Sequence, residues 1–127
     1  MRMWRHFDIG LLGLIMGCSI IWQPWPALAG PAPSPGKPAL YDFGRSMCIP
    51  CKEMEKVLTD IKGEYGDQVE VRLVMMDKNE DMFKQYKIML VPTQVFLNAE
   101  GKEVDRHIGA WSKEDVVSKL EELKFIY

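Results

Sequence analysis

The chain contains few of the residues that build metal centres and disulfide frameworks. Its 127 residues include three cysteines and two histidines. Three cysteines are too few for a small fold that disulfides hold together. Zinc sites usually require a second cysteine or histidine pair, and the sequence has only one closely spaced pair of cysteines. The composition therefore argues against a disulfide-stapled protein and supplies few ligands for a metal.

The chain also has no excess of either charge. Sixteen basic residues against 18 acidic ones give a formal net charge of -2. Without a basic excess to follow a phosphate backbone, the sequence argues against nucleic-acid binding. Hydrophobic residues make up 47% and charged residues 27%, which excludes collagen-like, low-complexity and fully disordered chains. The length allows one domain.

Long apolar runs are missing as well. The most apolar segment, Ile9–Ile21, is shorter than the roughly 20 residues of a membrane-spanning helix. Arg2 and Arg5 precede this segment, and Ala27-Leu28-Ala29 follows it. A positive start, an apolar middle and an A-x-A end are typical of a secretory signal peptide. The pattern predicts a signal peptide over 1–29.

Two other interpretations of this segment stay open. Trp22 and Trp25 suit the interface of a membrane, so residues 9–25 could form a retained membrane anchor. The sequence Ile15–Cys18 also resembles a lipoprotein cleavage box, which would place a lipid on Cys18. All three interpretations predict a periplasmic or otherwise extracytoplasmic protein.

Residues 30–38 are rich in proline and glycine and predict an extended tether before a single domain over 39–127. Hydrophobic periodicity predicts alternating strands and helices in that domain. The predicted strands are 39–43, 69–76, 93–97 and 103–108, and the predicted helices are 48–62, 77–86 and 112–124. A parallel strand pair followed by an antiparallel hairpin predicts an α/β fold, with a mixed central sheet and helices on both faces.

Glycines and short polar residues mark the predicted ends of these elements. The residues expected to do so are Gly63 and Gly66 after the first helix, Asp77 and Ser112 as helix caps, and Gly101 in the hairpin turn. Ser112 is followed three residues later by Asp115, a pattern that resembles a capping box.

The pair Cys48-Ile49-Pro50-Cys51 is the chemical centre of the sequence. Cys48 is predicted at the N-terminus of a helix, where free N–H groups and the helix dipole stabilise a thiolate. Cys51 lies one turn later, close enough to form a disulfide with Cys48. A loop this small constrains the unfolded chain little, so redox chemistry is a better explanation than a structural disulfide. A metal-binding pair and an inert pair remain as alternatives.

Several short stretches of the sequence resemble motifs of a known protein family. Residues 42–52 are similar to the active-site stretch of the thioredoxin family, and Val91-Pro92-Thr93 resembles its cis-proline loop. Gly101 and Gly109 match two later glycine positions of that family. The resemblance covers residues 39–124 and implies a three-layer thioredoxin-like fold. That fold would be shortened at the N-terminus, or the tether would pair as an edge strand.

The resemblance also implies roles for individual residues. Cys48 matches the nucleophile that attacks a substrate disulfide, and Cys51 matches the thiol that resolves the mixed disulfide. Pro92 matches the cis-proline facing the cysteines, which positions the Val91 backbone to pair with a substrate strand. Asp42 matches a buried acid with a raised pKa that helps to deprotonate Cys51.

The chain departs from the family pattern at two positions. Met47 replaces the usual tryptophan before the first cysteine, so the expected contact with substrate is apolar and flexible. Leu73 replaces the lysine that usually partners the buried acid, so Asp42 is expected to be harder to ionise, and Arg72 is expected on the opposite face of the sheet. The residues predicted to bind substrate are Met47, Ile49, Pro50, Val91, Pro92 and Gly109.

The direction of electron flow is predicted from Pro50, which precedes the second cysteine as it does in reducing thioredoxins. We expect a reduction potential nearer to thioredoxin's roughly −270 mV than to the roughly −120 mV of strong periplasmic oxidants. An extracytoplasmic reductase of protein disulfides needs a membrane thiol-reductant as its electron donor, and no cofactor. The alternatives are a disulfide oxidant or isomerase, or a metal-binding thioredoxin-like module without enzymatic activity.

Overall fold

A computed structural model describes residues 33–127, so the predicted signal segment and the first residues of the tether lie outside the described residues. The described strands are β1 Ala39–Gly44, β2 Glu70–Met75, β3 Thr93–Leu97 and β4 Glu103–Ile108. The helices are α1 Ile49–Tyr65, α2 Glu80–Gln85 and α3 Lys113–Glu122, with a 3-10 turn at Met76–Lys78. The four predicted strands and three predicted helices are confirmed.

The strands form one mixed sheet with the order β2-β1-β3-β4. β1 is parallel to β2 and antiparallel to β3, and β3 and β4 form an antiparallel hairpin. The predicted sheet is therefore confirmed, with β2 and β4 at its edges. Residues 33–38 add no strand to it, so pairing of the tether as an edge strand is not found in that range.

Apolar side chains pack on both faces of the sheet, because successive residues of a strand point to opposite sides. Leu40 and Phe96 face α1 and α3, whose buried residues there are Met54, Leu58, Ile61, Val116 and Leu120. Tyr41, Phe43 and Val95 face the other way, against Met82 and Phe83 of α2. The three-layer architecture is therefore confirmed. Among residues 33–127, no helix is both long enough and apolar enough to cross a membrane.

The first helix is longer than predicted, because it continues through Gly63 to Tyr65, with Gly66 as its C-cap. The N–H of Gly66 donates to the carbonyl of Lys62 at 3.1 Å. A glycine inside a helix costs only about 1 kcal/mol relative to alanine. Ile61 and Tyr65 lie on either side of Gly63 and pack on the core, so burial outweighs that cost.

The second helix starts later than predicted, and Asp77 does not cap it. Asp77 lies in the 3-10 turn, where its carboxylate accepts a hydrogen bond from the hydroxyl of Ser46. Asn79 takes the cap position instead, and its side-chain N–H donates to the carbonyl of Met75 at 3.0 Å. The bond between Asp77 and Ser46 ties this turn to the loop that precedes Cys48.

The remaining end signals are confirmed. Gly101 has φ of +78° in the hairpin turn, a conformation that glycine adopts without strain. Ser112 is the N-cap of α3 and accepts a hydrogen bond from the N–H of Asp115 at 3.1 Å. The helix ends two residues earlier than predicted, because Lys124 has a left-handed φ of +59° and cannot continue it.

Candidate active site

Cys48 and Cys51 form a disulfide at the junction of β1 and α1, with their Cα atoms 5.2 Å apart. Cys48 is the N-cap of α1, and its Sγ accepts a hydrogen bond from the N–H of Cys51 at 3.2 Å. In the reduced protein this donor and the helix dipole would favour a thiolate on Cys48. Cys48 is half-buried, whereas Cys51 is only 4% exposed. A substrate can therefore reach Cys48 but not Cys51.

Gly44 lies against Cys51 at the end of β1. A Cβ atom at Gly44 would lie 3.4 Å from the Cβ of Cys51 and 3.6 Å from Sδ of Met75, so the end of β1 packs directly against the cysteine. Asp42 and Gly44 are two residues apart and lie on the same face of the strand, about 7 Å from each other. Asp42 thus lies on the face of the sheet that Cys51 packs against, and its role as the proton acceptor for Cys51 stays a prediction.

Asp42 is completely buried and accepts a hydrogen bond from Nε2 of Gln94 at 2.7 Å. Burial raises the pKa of Asp42 to about 6, and the hydrogen bond from Gln94 lowers it in part. Leu73 is its register partner on β2, whereas the guanidinium of Arg72 lies on the other face, 4.9 Å from the ring of Tyr41. These positions agree with the expected burial of Asp42 and with the expectation that it is hard to ionise.

Gln94 is a site residue that the sequence reasoning missed. It is the only amide side chain in the apolar strand Thr93–Leu97, and it is completely buried. An amide residue inside such a strand was an available signal. Its meaning depends on strand register, which pairs Gln94 with Asp42 and which hydrophobic periodicity does not specify.

The predicted cis-proline is present, because the Val91-Pro92 peptide bond is cis. The carbonyl of Pro92 accepts a hydrogen bond from the N–H of Gly109 at 2.8 Å, and Gly109 has φ of +111°. Thr93 donates its hydroxyl to the carbonyl of Leu90 at 2.7 Å. These bonds fix the loop before β3, while its role in binding substrate stays a prediction.

Exposed apolar side chains surround this end of the sheet. Met47 and Ile49 flank Cys48 and are 95% and 77% exposed. Met89, in the loop before β3, is 90% exposed. Thr93 pairs with Phe43 on one side and with Ile108 on the other, so both loops leave the sheet at the same end. We define the apolar rim as the exposed residues Met47, Ile49, Met89, Leu90 and Ile108.

Three of these rim residues were not predicted, because the sequence analysis singled out only Met47 and Ile49 among them. Met89 and Leu90 directly precede the cis-proline motif, and that position was the available signal. Pro50 is also exposed, and Val91 is half-buried. Met47, Ile49 and Pro50 flank the cysteines in the chain, and Val91 and Pro92 lie in the loop that meets the sheet at the same end, so their role in binding substrate stays a prediction.

A model of the thioredoxin-like domain matches residues 30–124, which is most of the chain. The chain belongs to the thioredoxin family. This thioredoxin-like protein is similar to thioredoxin 1 of Synechococcus elongatus, with 34% identity over 84 residues, 66% of this chain and 78% of the relative. It is also 31% identical over 90 residues to the bifunctional thioredoxin reductase/thioredoxin of Mycobacterium leprae. That match covers 71% of this chain but only 19% of the relative's length.

Solved structures agree with this assignment. The Fasciola hepatica thioredoxin superposes with a TM-score of 0.62 at 30% identity, covering 69% of this chain and 82% of that one. This thioredoxin-like protein is therefore a thiol–disulfide oxidoreductase, with Cys48–Cys51 as its disulfide pair. Among residues 33–127, no group of three His, Cys, Asp or Glu side chains is placed to hold a metal ion.

Proposed function

We propose that this thioredoxin-like protein is an extracytoplasmic reductase of protein disulfides. The observation that carries the proposal is the unequal environment of the two cysteines. Cys48 is accessible at the N-terminus of α1, while Cys51 is buried behind it on the side of Asp42. A reductase needs this arrangement, with one thiol that meets the substrate and a second that is shielded until it resolves the mixed disulfide.

The reaction begins with the reduced pair. The Cys48 thiolate attacks one sulfur of the substrate disulfide, whose S–S bond breaks, and the departing sulfur takes up a proton. Cys51 then gives its proton to Asp42 and attacks Sγ of Cys48. As the Cys48–Cys51 disulfide forms, the bond between Cys48 and the substrate sulfur breaks, and that sulfur leaves as a thiolate that takes up a proton from water. Two electrons have passed from the cysteine pair to the substrate, and the structure shows the oxidised pair that remains.

The reducing direction is supported by the residue before the second cysteine. That residue is Pro50, which has no N–H and no charge with which to stabilise a thiolate on Cys48. A charged or hydrogen-bonding residue there would stabilise the reduced form and make the disulfide more oxidising. The pair is thus expected to have a low reduction potential.

The apolar rim supports a protein substrate. Apolar side chains this exposed are costly in water, and a set of them at one end of a sheet is typical of a contact surface. Met47 is the most exposed member of the rim next to the nucleophile, and its flexible thioether adapts to different partners. The rim would bind apolar segments that flank the substrate disulfide.

The extracytoplasmic location is supported by the sequence of residues 1–29, with its basic start, apolar middle and A-x-A end. A reductase outside the cytoplasm must receive electrons from a donor in the membrane, which we propose to be a thiol carrier. Expressing the whole chain in a Gram-negative cell tests the location. A periplasmic product that starts at Gly30 is expected, and a cytoplasmic product of full length would contradict it.

The equilibrium reduction potential of Cys48–Cys51 tests the direction. We would measure it on residues 30–127, which contain both faces of the core, against glutathione and dithiothreitol buffers. A value below about −230 mV is expected for a reductase. A value above about −180 mV would identify a disulfide oxidant or isomerase instead.

A further inference from the structure

Four side chains form a row across one face of the sheet, one from each strand. The register pairs Leu73 with Asp42, Asp42 with Gln94, and Gln94 with His107. Gln94 is therefore next to the buried carboxyl group on the side away from β2. The position opposite Asp42 on β2 is apolar, so the polar contact to Asp42 comes from β3.

The contact between Gln94 and Asp42 leaves polar atoms without partners. Nε2 of Gln94 donates to Oδ1 of Asp42 at 2.7 Å, and both side chains are completely buried. Oδ2 of Asp42 and Oε1 of Gln94 have no hydrogen-bond partner among the described residues. Leaving a buried acceptor unpaired is unfavourable. The two unpaired oxygens could therefore share a hydrogen bond if the carboxyl group took up a proton.

We propose that Gln94 is the positioning residue for Asp42 and provides a hydrogen bond in both protonation states of its carboxyl group. When the carboxyl group is charged, the amide N–H donates to Oδ1. When it is protonated, rotation of the amide by half a turn lets Oε1 accept the carboxyl O–H. This inference rests on the proposed role of Asp42 as the proton acceptor for Cys51.

A cationic partner would act differently. A lysine opposite Asp42 would stabilise only the charged carboxylate and would weaken its hold on a proton. An amide has both a donor and an acceptor, so it holds the carboxyl group in place without fixing its charge. Asp42 has Leu73 and Gln94 as its neighbours instead of a cation. This environment suits a carboxyl group that takes up and releases a proton in each catalytic cycle.

The charged groups on the surrounding elements do not replace this contact. Arg72 of β2 lies over Tyr41 on the other face of the sheet. On β4, Asp105 pairs with Lys119 of α3, and the ring of His107 stacks on Trp111 with ring centroids 3.9 Å apart.

The two helices over Asp42 bring apolar or sulfur side chains toward the sheet, namely Cys51 and Met54 from α1 and Val116 and Leu120 from α3. Every charged residue of α1 is exposed. On α3 the two half-buried lysines, Lys113 and Lys119, are both ion-paired. The hydrogen bond from Gln94 is also the one influence that lowers the pKa of Asp42 against burial.

The variant Gln94→Met tests the inference, because methionine matches the length of glutamine and lacks its amide. The Asp42 carboxyl group would be titrated by carbon NMR in wild type and variant. The midpoint is expected to move up by about one pH unit, since one buried hydrogen bond to the carboxylate is lost. The pH midpoint for resolution of the mixed disulfide should move with it. An unchanged or lower midpoint for Asp42 would overturn the inference.

Two controls make the result specific. In the background Asp42→Asn, adding Gln94→Met should leave the pH profile of resolution unchanged, and a further shift would contradict action through Asp42. In the wild type, the side-chain amide resonances of Gln94 should move with the titration of Asp42. Amide resonances that do not follow Asp42 would overturn the inference even if Gln94→Met does not fold.

Failure of the inference differs from failure of the proposed function. If the pH dependence of resolution persists in Asp42→Asn, then Asp42 is not the proton acceptor and the proposed mechanism is wrong. If Asp42→Asn removes that dependence while Gln94→Met leaves the titration of Asp42 in place, only the positioning role of Gln94 is wrong.

Discussion

At the scale of residues, the degree of burial gives side chains of the same type different reactivities. Cys48 and Cys51 are three positions apart, yet the first is accessible and the second is 4% exposed. Asp42 is buried beside an amide, and its pKa rises to about 6 because the charged form loses its hydration. The order of events in the active site follows from these environments.

The first prediction concerns the resolving cysteine. In Cys51→Ser the substrate should stay attached to Cys48, because no second thiol is present to attack the mixed disulfide. Covalent adducts that disappear on reduction are expected on non-reducing gels of cell extracts. Cys48→Ser is the matched control and should trap almost nothing. Equal trapping by both variants would contradict the assigned roles.

The second prediction concerns the stability cost of Asp42. Its pKa in the folded protein is about 6, against 3.8 as the reference value, so the folded chain binds the proton more tightly than the unfolded chain. Stability therefore falls as the pH rises from about 4 to about 6 and then stays level. Asp42→Asn should raise the free energy of unfolding by about 2–3 kcal/mol above pH 6 and change it little below pH 4.

Urea unfolding at pH 4 and pH 7.5 measures this difference. Asp67→Asn is a suitable control, since Asp67 is an exposed carboxylate outside the strands and helices. It should change stability by less than about 0.5 kcal/mol at both pH values. If the difference in unfolding free energy between wild type and Asp42→Asn is the same at both pH values, burial of the charged carboxylate is not the cause.

The reacting residues could be predicted from the sequence, but the buried residue that hydrogen-bonds to Asp42 could not. The spacing of Cys48 and Cys51 and their place before a helix are local features, and local features are readable from sequence. Gln94 was missed because its contact with Asp42 joins positions 52 residues apart. Such a contact is determined by the register of two antiparallel strands, which apolar strand sequences leave undetermined.

At the scale of elements, some of the residues predicted to start or end helices do so. Others do not, because tertiary contacts outweigh the local preference. Ser112 acts as the predicted cap, because its hydroxyl accepts the N–H of Asp115. Gly63 failed as a stop signal, because the core contacts on both sides of it continue the helix. Asp77 failed as a cap, because Ser46 of another loop is its partner.

The third prediction concerns this cap on α3. Ser112→Ala should lower the free energy of unfolding by about 1 kcal/mol, because the N–H of Asp115 loses its acceptor. Ser118→Ala, an exposed position inside the same helix, should be neutral or slightly stabilising. Thermal or urea unfolding of the two variants measures the difference. Equal losses would show that the cap contributes nothing.

The fourth prediction concerns the apolar rim. Met89→Ser should raise KM for a protein disulfide about tenfold and leave kcat nearly unchanged, because it removes binding shared by the ground and transition states. Val104→Ser replaces an exposed apolar residue of β4 that is outside the rim, and it should leave both constants near wild type. A fall in kcat without a change in KM would contradict docking at Met89.

At the scale of the whole molecule, the sheet has an apolar layer on each face, and the disulfide lies where β1 leads into α1. Alternating hydrophobicity predicted these layers, because strands and helices carry their burial patterns locally. The sequence does not fix the reduction potential in the same way. That potential depends on how the complete fold stabilises the disulfide relative to the two thiols.

The fifth prediction follows from that dependence. If the fold favours the disulfide, as a reductase requires, the oxidised protein should have a higher Tm than the reduced protein. Scanning calorimetry of both forms at pH 7 measures the difference without any redox buffer equilibrium. A reduced form that melts at the higher temperature would identify a disulfide oxidant.

The shielding of Cys51 affects how the redox state of the protein is read in practice. A thiol-alkylating reagent added to the reduced, folded chain from Gly30 meets one accessible sulfur, that of Cys48, and adds a single label. The same chain takes two labels only after it is denatured. An assay that alkylates under native conditions would count fully reduced protein as half oxidised, so cell samples must be denatured in acid before labelling.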